Sequence, residues 1–164
     1  MKFLGHSLHP ILVVFPLGLL STSAVFDALY LLTGSTLFPI ASSFAIAAGV
    51  LSGLATMFFG LLDMYRVRRD TRAMNLVGWH SVGNFLAIEI FVLSWLARQG
   101  SPDLIPNNVA LGLSFAGVAI LLITGWMGGE MVYRLGLAVD SGANQDAPNS
   151  LTHKSATKIN LYSG

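Results

Sequence analysis

The chain has 164 residues, of which 54% are hydrophobic and only 10% charged, with a formal net charge of +1 at neutral pH. A mean hydropathy of +0.67 excludes an ordinary soluble domain, and a charge near zero excludes the dense basic face that a nucleic-acid partner needs. The lack of cysteine excludes disulfides, thiolate metal sites, iron–sulfur ligation and thioether-linked haem, leaving a non-covalent cofactor open.

The apolar residues gather into runs of about twenty or more, the length that crosses a hydrocarbon core at 1.5 Å per residue. Four such runs predict an all-α, polytopic membrane protein. The first helix covers about residues 9–33, entered at His9-Pro10, where proline suits a first helical turn, and closed by Gly34-Ser35. Its apolar stretch is too long for a secretory signal and is read as a mature helix. The second, about 37–65, carries Gly49-x-x-x-Gly53, a spacing that bares backbone on one face for close helix approach. The run Arg66-Val67-Arg68-Arg69-Asp70-Thr71-Arg72 is then a charged loop. The third helix covers about 76–98, and a link rich in Gly, Ser, Pro and Asn leads to the fourth, about 108–133, with a second small-residue spacing at Gly125-x-x-x-Gly129. Residues 1–136 form the transmembrane domain. Residues 137–164 are a polar tail, read as mobile or ordered only against a partner.

Lys2, the four loop arginines, Arg134, Lys154 and Lys158 all fall on one side of this arrangement, and Arg98 alone falls on the other. Cytoplasmic loops carry the Lys and Arg excess, so both termini are expected on the cytoplasmic side of a prokaryotic inner membrane.

The second and fourth helices end alike: Asp63-Met64-Tyr65-Arg66 matches Glu130-Met131-Val132-Tyr133-Arg134 with one residue inserted. His9 opens the first helix and His80 lies in the first turns of the third. The pattern predicts an up-down bundle of two duplicated hairpins related by an axis along the membrane normal.

An antiparallel arrangement brings His9, Asp63, His80 and Glu130 to one level at the cytoplasmic end. Ionisable groups inside a span cost about 2.5–3.5 kcal/mol near its centre and usually face the bundle interior or water; nearer the interface the cost falls, and such groups can simply reach headgroups. The first and third helices are diagonal, with axes roughly 11–14 Å apart, a gap that two imidazoles can close around one metal. One reading is a b-type haem held by His9 and His80, with Asp63 and Glu130 accepting the second ring protons and Gly78, Gly83, Gly128 and Gly129 making room for the macrocycle. Another uses the two imidazoles and two carboxylates directly, for zinc or non-haem iron. Asn84 shares the face of His80 and either orients the ring or bonds between helices. His6 is a substitute ligand if it leaves solvent; His153 is assigned no role. Glu89 lies well inside the third helix, opposite in phase to His80, and would be protonated, paired or turned to another subunit; Asp27 is a milder case in the first. Trp79, Trp95 and Trp126 are belt and packing residues, and Trp79 and Trp126 would also wall a cofactor pocket.

The segments His9-Pro10-Ile11-Leu12-Val13-Val14-Phe15-Pro16-Leu17-Gly18, Asp63 with Tyr65, His80 with Asn84, and Gly125-Trp126-Met127-Gly128-Gly129-Glu130-Met131-Val132-Tyr133 resemble the bacterial membrane-protein family labelled domain of unknown function 2231. The resemblance covers about residues 5–136 and implies a small four-helix prokaryotic membrane protein, with no activity attached. Relatives often have a histidine just before the Phe-Pro of the first motif, where this chain has Val14; His9 is retained.

The functional expectation is a redox membrane subunit binding b-type haem or a metal. Its rival is a non-catalytic structural subunit of a larger membrane complex. The partners expected are the lipid bilayer and further subunits, identical or not. Four helices leave a transporter little room for alternating access, and no nucleophile motif supports a hydrolase.

Overall fold

The computed structural model describes residues 2–4, 6–140, 142–152, 154, 156 and 157; Lys158 and His153 lie outside them. A short antiparallel hairpin, β1 (Lys2–Phe3) with β2 (His6–Ser7), leads into α1 (Leu8–Leu12) and α2 (Val14–Thr33). These two helices form a single span, Leu8–Thr33. The interruption at Val13, whose backbone stays right-handed helical, falls where Pro16 has no N–H to give the carbonyl of Leu12. Gly34 ends α2 with φ at +70°, a left-handed cap that glycine takes without a Cβ penalty.

α3 runs Leu37–Met64, α4 Arg72–Leu96 and α5 Asn108–Tyr133. α4 begins at Arg72 rather than near residue 76 because the Thr71 hydroxyl caps it, accepting from the Met74 N–H at 3.2 Å. Asn107 caps α5 in the same way through Ala110 N–H at 2.9 Å. Among the described residues, four helical spans are long and apolar enough to cross a membrane. α2 packs chiefly on α3 and α4 on α5, while the lighter contacts of α3 with α4 and α2 with α5 close the ring. α2 and α4 are therefore diagonal, as the up-down reading expects.

The centre of the bundle is Leu20, Ile46, Ala87, Phe91 and Leu121. Two glycines admit its largest members: a Cβ on Gly49 would stand 2.6 Å from Leu20, and one on Gly117 would stand 2.6 Å from Phe91. Gly53 faces Ile88 and Pro16, so the spacing at Gly49 and Gly53 is spent on close packing inside the bundle. The one at Gly125 and Gly129 is not. Nothing lies near Gly125, and a Cβ on Gly129 would touch only Tyr133 of its own helix. Gly117→Ala is expected to destabilise by about 1–3 kcal/mol through overpacking against Phe91. Gly112→Ala, pointing into open space, should be neutral or mildly stabilising, and thermal unfolding in detergent distinguishes the two.

Candidate functional site

His9 and His80 come from diagonal helices and meet across the bundle, with ring centres 6.4 Å apart and planes at 81°. Each ring is held through Nδ1. His9 Nδ1 lies 3.0 Å from the carbonyl of Thr56 on α3, and His80 Nδ1 lies 2.9 Å from the carbonyl of Thr124 on α5. A carbonyl only accepts, so both Nδ1 atoms donate and Nε2 is the nitrogen left with a lone pair in the neutral ring. Each carbonyl is reached because a glycine follows the threonine one turn later. A Cβ on Gly60 would stand 2.8 Å from His9 Nδ1, and one on Gly128 would stand 3.5 Å from His80. Gly60→Ala is accordingly expected to displace the His9 ring and break its bond to Thr56, seen as a changed ¹⁵N shift at His9 Nδ1 while the His80 Nδ1 bond to Thr124 is kept.

The carboxylates expected to accept the second ring protons are engaged elsewhere. Glu130 takes a hydrogen bond from Arg72 Nη2 at 2.6 Å, and Asp63 takes one from Arg66 Nη1 at 3.1 Å. Backbone carbonyls serve the imidazoles instead, because a helix turn opened by glycine comes closer to the ring than an acid at the helix end. Among the described residues no three His, Cys, Asp or Glu side chains gather as a metal-binding group. Asn84 does not touch the ring of its neighbour. Its amide donates to the backbone carbonyl of His80 at 2.8 Å, and its Oδ1 accepts from the Thr124 hydroxyl at 3.1 Å, which knits α4 to α5 beside the His80–Thr124 bond.

Other expectations sort by exposure. Trp79 and Trp126 face outward, and Trp95 packs on the core. Gly83 serves helix contact, its Cβ position being 2.5 Å from the Thr124 methyl, and Gly78 is open, so the four glycines do not line one slot. Val14, where relatives often have histidine, is exposed. His6 stands outside the bundle near the Ser150 hydroxyl.

The opposite end of the bundle holds a site that sequence reasoning passed over. Arg98 and Asp27 are wholly buried and form a bidentate pair, Nη1 to Oδ1 at 2.8 Å and Nη2 to Oδ2 at 2.7 Å. The hydroxyls of Ser42, Ser94 and Ser114 accept from the guanidinium at 2.9, 3.1 and 2.9 Å, and Arg98 Nε reaches the Ser94 carbonyl at 3.3 Å. No buried side-chain polar atom among the described residues lacks a partner. The signal was present in two facts never combined: Arg98 was the one cation on its side, and Asp27 was the one acid in the first span.

One spacing links both ends. Arg98 follows Asp27 by 71 residues, and His80 follows His9, and Phe91 follows Leu20, by the same interval. On the partner helices Thr124, Gly128 and Gly117 stand to Thr56, Gly60 and Gly49 in a second constant interval. Along the α2–α4 diagonal, then, positions matched in the two halves touch each other at both ends of the bundle.

Fold and site define a small polytopic membrane protein of four helices, with a paired-histidine site at one end and a buried ion pair at the other. The chain belongs to the family described as predicted membrane protein (DUF2231), whose model matches residues 5–141. No curated protein and no solved structure matches it.

Proposed function

We propose that this chain is an inner-membrane redox subunit in which His9 and His80 would hold a b-type haem, with the arginine loop and both termini in the cytoplasm. The observation carrying the reading is the pair of imidazoles 6.4 Å apart, each pinned through Nδ1. With metal–nitrogen bonds of about 2.0–2.1 Å and ring centres about 1.1 Å behind the donor atoms, two imidazoles on one ion stand about 6.3 Å apart. The Thr56 and Thr124 carbonyls would fix the tautomer and ring orientation, the usual task of a metal ligand's outer partner. Because Asp63 and Glu130 are tied to arginines, the chain offers two donors, and a metal taking more must bring the rest with it. Haem does so, which favours it over zinc or non-haem iron. When bound, it supplies one-electron transfer.

The matched contacts along the diagonal support a duplicated hairpin, each copy contributing one histidine, one Thr carbonyl and one glycine. The excess of cations at the histidine end supports the orientation. An optical spectrum of protein purified from its native membrane is the test: a sharp Soret band with split visible bands in the reduced state is expected. Colourless protein retaining stoichiometric partners would instead establish a non-catalytic subunit, with the two imidazoles as packing groups.

A further inference from the structure

α4 is the least apolar of the four spans and also buries the smallest share of its residues, the reverse of what lipid contact favours. Asn75, Trp79, Val82, Leu86, Glu89 and Leu93 are all exposed, at alternating intervals of four and three, the spacing of a helix–helix seam, with Phe85 and Leu96 exposed beside them. Two of the six are polar, and Glu89 is an ionisable group well within the span. From this we infer that α4 pairs in parallel with α4 of a second copy of this chain, about a two-fold axis along the membrane normal, with Glu89 facing Glu89.

The occupant follows from the chemistry of the seam. In a parallel two-fold pair each seam residue meets its own copy. Both polar residues are self-complementary: an amide donates and accepts, and two carboxyl groups can hold one proton between them. A polar residue at one seam position also fixes register, which places Asn75 against Asn75 one end away from the carboxyl pair. Gly78, with nothing near its Cβ position, lets the two backbones approach beside the groove lined by Asn75, Trp79 and Val82. The inference does not depend on the histidine site.

The chain has no cysteine, so single introduced thiols report without background. Glu89→Cys and Val82→Cys, treated in native membranes with a short apolar bis-maleimide, are expected to give covalent dimers in at least about five-fold higher yield than Leu122→Cys on the exposed face of α5. The wild-type chain should be dimeric in mild detergent, Glu89→Gln should keep that dimer within about two-fold, and Glu89→Leu should weaken it roughly three- to thirty-fold, the range of one interhelical polar contact. Links formed equally at Leu122, links only to a different protein, or a monomeric wild-type chain would each overturn the pairing. Dimerisation of Glu89→Leu as tight as wild type would overturn the part given to the carboxyl pair.

Discussion

Asp27→Ala is expected to cost about 3–5 kcal/mol of stability, because it leaves the Arg98 guanidinium buried with no counter-charge. Three serine hydroxyls and a backbone carbonyl still accept from that group, but none carries charge, and water has no route to a side chain with no exposed surface. Arg98→Ala should fall in the same range through the stranded carboxylate. The matched positions of the two residues allow a sharper experiment. Exchanging them, Asp27→Arg with Arg98→Asp, restores a pair of opposite charges across the same diagonal. The exchange should recover part of the loss and not all of it. At the interval of 71 residues Ser23 matches Ser94, both buried serines, but at the interval of 68 Ser42 and Ser114 match Ala110 and Ile46, so a guanidinium on α2 finds fewer hydroxyls. Unfolding in detergent or against sodium dodecyl sulfate measures all three variants. Single variants within about 0.5 kcal/mol of wild type would mean that the pair opens to water, and an exchange no better than either single change would mean that the two halves are not interchangeable here.

The four spans were legible because lipid imposes a length and an apolarity that any sequence must show. The meeting of His9 with His80 was legible for a related reason: the diagonal of an up-down bundle is short, and two imidazoles near one level can bridge it. What the sequence concealed was how polar groups distribute among partners once the helices pack. Asp63 and Glu130 looked like ligands because they share the level of the histidines, yet each had an arginine within one turn or across the neighbouring seam, and charge pairing prevailed. The true partners of the rings are backbone carbonyls, which a sequence does not advertise; the indirect signal is Thr56 before Gly60 and Thr124 before Gly128, in equivalent places. Arg98 was misplaced by hydropathy itself. A lone cation after an apolar run reads as the end of a span, whereas this one turns inward, since a carboxylate and three serines wait at its depth.

His80→Ala is the variant on which the proposed redox role stands. It is expected to abolish retention of the haem, with loss of essentially all Soret absorbance, while the protein still inserts and accumulates. The expectation of a normal fold rests on geometry: the ring is not fully buried, and the helix packing beside it is kept by the Asn84 bridge to Thr124, which does not use the imidazole. His9→Ala should act alike, because an axial pair fails when either member goes, and the double variant should therefore be no worse than either single one. Thr56 acts through its carbonyl, so Thr56→Val should leave haem bound; a large loss on removing that hydroxyl, which bonds only within its own helix, would contradict the assignment of Nδ1. Glu130→Gln and Asp63→Asn test the discarded ligand set. Both should leave the haem spectrum in place, since Arg72 and Arg66 bond to these carboxylates. If instead the chain keeps its full Soret band in His80→Ala and in His9→Ala, the two imidazoles hold no iron, and their contact across the diagonal is packing alone.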